Sequence, residues 1–147
     1  MIYRTSSKKL FGFMLAIMML IVPNLVLAGT KSQIQPRWSY IYDCAHSLER
    51  VGSSSALALY ADVQVFDGYY AAVEAQLQKY NSSTGKWNNV SGKFWDIASE
   101  SDFCYVDEPR ISVSSGTYRF DLTFVAYNTS WFELEHFSCY TDQVTIP

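Results

Sequence analysis

Two stretches of this chain alternate apolar and polar residues with a period of two, and that pattern constrains its fold more than any other feature. Across residues 56–66, Leu57, Leu59, Ala61, Val63 and Val65 fall on one side, with Ala58, Tyr60, Asp62 and Gln64 on the other. Across residues 116–127, Tyr118, Phe120, Leu122, Phe124 and Ala126 alternate with Arg119, Asp121 and Thr123. Successive side chains of an extended chain point to opposite faces. Each stretch is therefore a strand with one buried face. A helix, with its repeat of about 3.6 residues, would scatter the same apolar set around its surface.

The rest of the chain fits around these two strands. Residues 38–48 alternate aromatic and small side chains and read as a first strand, closed by a Gly/Ser turn over 50–55. Asp67-Gly68 is a turn dipeptide. Residues 72–79 are rich in helix formers, yet Val73, Ala75 and Leu77 alternate with Glu74, Gln76 and Gln78. A Gly-containing loop of hairpin length follows at 81–85, and an extended pattern resumes at 86–90, so the region reads as strand–turn–strand. Residues 94–98 and 103–106 are short strands, separated by polar connections at 99–102 and 107–109. Residues 111–114 form a brief extended piece, 128–130 turn, and 132–146 read as one long strand with room for a bulge. Seven or eight strands at spacings of about 8–12 residues are the pattern of a single antiparallel β-sandwich. Ser115-Gly116-Thr117-Tyr118-Arg119-Phe120 also has the layout of the tyrosine corner of immunoglobulin-like sandwiches, in which a Tyr hydroxyl bonds back to the chain just upstream. Phe120 stands where antibody domains carry Cys, and their strand-C Trp has no counterpart, so the corner supports the sandwich and not membership of that family.

Ahead of the strands lies a segment of a different kind. Arg4, Lys8 and Lys9 precede an apolar run over 10–22, Pro23-Asn24 interrupts it, and Val26-Leu27-Ala28 ends on small residues. The order basic, apolar, small is that of a cleavable signal peptide, a signal helix cut after Ala28. An uncleaved anchor is the competing reading, since a spanning helix needs about 20 apolar residues. The Pro23-Asn24 break and the peptidase-type ending favour cleavage. The expected organisation is a signal peptide at 1–28, a flexible leader at 29–36 and an immunoglobulin-like β-sandwich at 37–147. Without a Cys at the cut, the product is expected to be secreted and extracellular, with no hold on the membrane once the signal is removed.

Cleavage changes the charge. Three of the 11 basic residues leave with the signal, so eight remain against 14 acidic ones, a net charge of −6. That balance argues against nucleic acid and against anionic membranes as partners. Constellations for catalysis are scarce. The chain has two His, His46 and His136, and three Cys, Cys44, Cys104 and Cys139. Cys44 and His46 share a strand face, but a two-residue offset holds them roughly 7 Å apart, beyond hydrogen-bond reach. The scattered Cys and His do not make a zinc set. Glu100, Asp102, Asp107 and Glu108 crowd one region but lack a calcium-loop pattern and read as a solvated acidic loop. No catalytic residue, no metal site and no cofactor are expected. Three Cys in an exported chain allow at most one intrachain disulfide. Cys44–Cys139 is the pairing that first and last strands of a sandwich would bring together; three buried, unpaired thiols are the other reading.

Three pieces of the chain, Pro36-Arg37-Trp38-Ser39-Tyr40-Ile41, Leu77-Gln78-Lys79-Tyr80 with Trp87-Asn88-Asn89-Val90 across a hairpin, and Ser114-Ser115-Gly116-Thr117-Tyr118-Arg119, occur in this order over most of the mature domain. In them the chain resembles a group of small secreted proteins of clostridia-type Gram-positive bacteria. The resemblance implies a small all-β extracellular domain and brings no activity with it.

The remaining lead is aromatic. Tyr69-Tyr70, Trp87 and Trp131-Phe132 fall in or beside turns and outside the alternating core positions. Such rings either plug the ends of a sandwich or stand as flat anchors for a sugar ring or a protein. The function expected is therefore a non-enzymatic binding module at or outside the cell envelope. Its candidate ligand residues are Tyr69, Tyr70, Trp87, Trp131 and Phe132, and its partner is an envelope glycan or a protein. The alternative is a secreted antagonistic effector, a toxin or bacteriocin-like protein, which the acidic charge and the lack of a cationic amphipathic helix disfavour.

Overall fold

The alternating stretches pair as their pattern requires. The computed structural model describes residues 38–147. The expected signal peptide and leader lie outside the described residues. Eight strands run in chain order: β1 (Ile41–Arg50), β2 (Ala56–Val65), β3 (Tyr70–Asn81), β4 (Lys86–Ser99), β5 (Phe103–Ser112), β6 (Gly116–Tyr127), β7 (Glu133–Tyr140) and β8 (Val144–Ile146). They form two antiparallel sheets, β1-β2-β5 and β4-β3-β6-β7, with β8 continuing beside β6. Leu57, Leu59, Ala61, Val63 and Val65 of the first sheet share one core with Val73, Ala75, Leu77, Phe120, Leu122 and Phe124 of the second. The all-β, sandwich-like arrangement expected from the period-two pattern is thus present.

Strand β3 shows which force decides. Its Ala, Glu and Gln favour a helix, but propensity differences are worth at most about 0.7 kcal/mol per residue. Burying one Val or Leu is worth about 1.5–3 kcal/mol. Only the extended form puts Val73, Ala75 and Leu77 together on the core side, where all three are fully buried.

Three boundaries differ from the sequence reading. Residues 86–90 and 94–98 belong to one strand, β4, joined by a bulge: Asn89 pairs with Gln78 and Phe94 with Gln76, so four residues, 90–93, oppose Leu77 alone. Gly92 takes φ 69° there, a left-handed value that suits glycine. The Gln76 amide donates to the carbonyls of Val90 and Lys93 and so satisfies the bulge. The second difference is at Asp107-Glu108-Pro109, which lies inside β5 and not in a connection. Leu57 pairs with Ile111 but Leu59 with Glu108, so the irregularity falls at Pro109, on an edge strand where a missing N–H is tolerated. The third is at the end of the chain, where the long final strand is divided. Asp121 pairs with Tyr140 and Tyr118 with Val144, a shift of one residue around Thr141. The Thr141 hydroxyl accepts from the Phe120 N–H at 2.9 Å in place of a backbone carbonyl.

The expected corner is formed: the Tyr118 hydroxyl donates to the Ser114 carbonyl at 2.9 Å. Two further contacts link the sheets along their open sides. Trp95 of β4 packs on Phe120 at 5.5 Å between centroids, and its indole N–H donates to the Glu108 carboxylate of β5 at 2.7 Å. On the opposite side, the Glu135 carboxylate of β7 accepts from the N–H groups of Ser39, Tyr40 and Ile41 at 2.8–3.1 Å. Burial alone would push this carboxyl up, but the three amide donors outweigh it and hold it below the ordinary range.

A lowered carboxyl stabilises the fold above its ordinary pKa and stops doing so as pH falls through its lowered value. Glu135→Gln is expected to cost about 1–2 kcal/mol at pH 7, the scale of hydrogen bonds to a charged acceptor. The difference from the parent should shrink as urea melts are repeated at pH 4 and then pH 3. A difference that stays constant over that range would contradict the clamp.

Candidate functional site

The inner faces are consumed by the core, so chemistry is left to the outer faces and the loops. The outer face of the β4-β3-β6-β7 sheet is the more elaborate. At one end, near the β3–β4 turn, four side chains from four strands form a row. Tyr80 lies 5.3 Å from Trp87 between ring centroids. The Arg119 guanidinium lies 4.4 Å from the Trp87 ring and 3.6 Å from the Tyr140 ring. Cation–π contacts of this kind are worth about 0.5–2 kcal/mol each. Beneath the row, Gln78 is only 9% exposed and accepts from Arg119 Nε at 2.9 Å. Its amide nitrogen faces Asn89 Oδ1 at 3.1 Å and Asp121 Oδ2 at 3.5 Å. An open groove of about 470 Å³ borders this end, lined by Lys79, Tyr80, Asn81, Ser82, Asn88, Asn89 and Val90.

At the other end of the same face Trp131 rests on Tyr70 at 4.9 Å and on Tyr127 at 5.6 Å. Residues 128–132 close the β6–β7 hairpin: Trp131 N–H donates to the Asn128 carbonyl at 2.9 Å, and Asn128 N–H to the Phe132 carbonyl at 3.0 Å. This is the three-residue loop whose last position takes the left-handed conformation normally filled by Gly. Trp131 fills it with φ 62°, and it is the one non-glycine residue with positive φ among the described residues. That conformation costs a side-chain-bearing residue roughly 1–2 kcal/mol. Two ring contacts, at about 0.5–1.5 kcal/mol each, offset it. Between the two ends lie Phe94, Gln76 and Asp121, then Asp96, Glu74, Thr123 and Ser138.

The five aromatics singled out in the sequence do not converge. Trp87 belongs to the first group, and Tyr70 and Trp131 to the second. The two groups lie about 33 Å apart along β3 at roughly 3.3 Å per residue. Phe132 stands beside the second group, 70% exposed. Tyr69 turns away from this face, packs edge-on against Tyr40 at 5.1 Å and leans on the core. Sequence reasoning missed Tyr80, Tyr140, Arg119, Gln78 and Asn89. Arg119 was legible as an outward position of β6, but nothing in the sequence placed Trp87 and Tyr140 on either side of it.

The thiols are arranged for burial. Cys44, Cys104 and Cys139 are all free, with no S–S bond between Cys44 and Cys139. Cys44 stands opposite Val63 and Cys139 opposite Leu122, so both face the core from the outermost strands of the two sheets. Burial, then the nearby Cys139, Asp43 and Asp62, push the Cys44 thiol from 9.0 up to about 12. A thiol so protonated at neutral pH is the reverse of an activated nucleophile. The four acidic residues of 100–108 are divided as well: Glu108 is engaged by Trp95, while Asp107 stands opposite Tyr60 on the outer face of the other sheet. His136 pairs with Glu133 at 2.7 Å on the surface.

No known protein family matches this chain, and no characterised protein is similar to it.

Two outcomes follow from these environments. With the ring gone in both, Trp131→Gly is expected to be more stable than Trp131→Ala by about 1 kcal/mol in urea melts, because only Gly relieves the left-handed backbone. Equal stabilities would remove the strain argument. For Cys44, the raised pKa stabilises the fold fully below the ordinary value of 9.0 and ceases to do so as pH climbs toward about 12. Native Cys44 should therefore resist iodoacetamide at pH 8, and thermal stability should fall progressively above pH 9. Rapid native labelling at pH 8, read by peptide mass, would contradict the buried thiol.

Proposed function

We propose that this chain is an exported, non-enzymatic binding module with an immunoglobulin-like β-sandwich, and that it binds a glycan of the cell envelope on the outer face of the β4-β3-β6-β7 sheet. The observation that carries the reading is the composition of that face. Aromatic rings alternate there with amides, carboxylates and a guanidinium, on rigid strands. Sugar rings offer an apolar face to aromatics and hydroxyls to planar polar groups, so recognition needs both kinds of side chain side by side. Strands hold such groups more firmly than loops do.

The immunoglobulin-like reading is supported by the facing sheets, β1-β2-β5 and β4-β3-β6-β7, together with the Tyr118 corner. Export is supported by the basic, apolar, small order of residues 1–28. A non-enzymatic role is supported by the protonated Cys44, whose neighbour His46 is the nearest histidine in sequence.

The test is a glycan array probed with the purified protein. Binding to at least one polysaccharide class is expected. Trp87→Ala and Tyr140→Ala should each weaken it by about 10-fold or more, the effect of removing a central aromatic anchor. Silence across the array, with capture of a protein partner by the same face, would replace the glycan by a protein. Full binding by both variants would remove the site.

A further inference from the structure

Resting on that reading, we propose that the ligand is an acidic glycan and that Arg119 is the receptor for its carboxylate. The guanidinium is a plane with two faces and five donors. Its carbon lies over two rings, 4.4 Å from the Trp87 centroid and 3.6 Å from the Tyr140 centroid. The Nε donor is committed to Gln78 Oε1. The two ring contacts and the Nε bond restrain the group before any ligand arrives. What remains is the edge carrying the two terminal nitrogens. Among the described residues no acceptor bonds them, and no carboxylate pairs with Arg119. They are not buried without a partner either, so they open to solvent. A guanidinium held in this way presents the parallel donors that match a carboxylate in two-point contact.

The neighbours of Arg119 support the same polarity. Asp121 is the carboxylate nearest along the strand on this face, and the Gln78 amide holds it at 3.5 Å, leaving the Arg119 edge unclaimed. Gln78 thus performs two tasks, since the oxygen that accepts from Arg119 fixes which way its nitrogen points. Lys79 and Lys86 lie at this end of β3 and β4, at positions that alternate with the outward Tyr80 and Trp87. Of the carboxylates on the face, Asp121 stands at this end and faces the Gln78 amide, while Glu74, Asp96 and Glu133 lie toward the other end. The groove at this end of β3 and β4, with Asn81, Asn88 and Asn89, supplies amides for ring hydroxyls. A uronate residue combines these two chemistries, a carboxylate and a polyhydroxylated ring. Lys79 itself donates to Ser114 Oγ at 2.9 Å and adds charge to this end without direct contact.

The experiment compares polygalacturonate, its fully methyl-esterified form and dextran sulfate as probes in titrations of the purified protein. The acid should bind at least 10-fold more tightly than the ester, and its affinity should fall with added salt. Arg119→Gln should abolish that preference, and Arg119→Lys should restore only part of it, because an ammonium cannot make the two-point contact. Circular dichroism and thermal melts establish that each variant is folded. Acid and ester binding equally would overturn the carboxylate receptor while leaving a glycan module in place. Tighter binding of dextran sulfate than of polygalacturonate would overturn the carboxylate assignment. Should neither these probes nor any glycan of the array bind, the glycan reading and the receptor fall together. The comparison of acid with ester uses the unaltered protein and so decides the question even if no Arg119 variant folds.

Discussion

Two sheets that face each other are held by the apolar surface between them, but that surface is non-directional and does not stop the layers sliding or parting at their sides. Here each open side is closed by one carboxylate. Glu108 of β5 takes the indole N–H of Trp95 on β4. Glu135 of β7 takes three successive N–H groups at the entrance to β1. Both bonds are directional and charge-assisted, which makes them stronger than neutral ones. They determine more than cohesion. Trp95 is drawn inward, so Phe94 before it and Asp96 after it must point outward. Glu135 is drawn toward β1, and four residues further along the strand Cys139 faces the core while Tyr140 faces out. The aromatic row on the outer face is the other half of the alternation that these closures fix.

That row is ordered from below as well as from the sides. Gln78 is nearly buried, so its hydrogen bonds are hard to exchange for water, and an unpaired buried amide would be costly. It has two directions available and uses both, one for Arg119 and one for Asn89 and Asp121. The guanidinium would consequently lose little freedom on engaging a ligand of the kind proposed, and ordering cost is often what separates weak from firm recognition at similar contact area.

The core was readable from the sequence wherever alternation ran unbroken. Leu57 to Val65, Val73 to Leu77 and Tyr118 to Ala126 all bury the side that the pattern indicates. The tyrosine corner was readable because all its parts lie within a few residues. Reading stopped where register changed. Counting by twos from Trp87 puts Trp95 on the outer face; the bulge at 90–93 reverses the parity and sends it to the core. The bulge itself is specified by Gln76 on another strand, which no local pattern reveals. Pro109 read as a break because a central strand excludes proline, whereas an edge strand with a bulge does not. Arg119 read as one polar position among several. Its significance comes from Trp87, Gln78 and Tyr140, brought beside it by three separate strand pairings. Glu135 was equally silent, since its partners are backbone groups, which carry no residue signature.

The Glu135 contacts join residues 94 to 96 positions apart, nearly the whole span of the described chain. Such a bond cannot form early. β2 can pair with β1 as soon as both exist, yet the entrance to β1 has no anchor until β7 has docked on β6. Non-local closure of this kind must meet its loop entropy before any stabilisation returns, and it places a sandwich among slow-folding topologies. For an interval set by the completion of β7, the N–H groups of Ser39, Tyr40 and Ile41 at the entrance to the first strand are without this acceptor. The last hairpin to form is the one that supplies their acceptor.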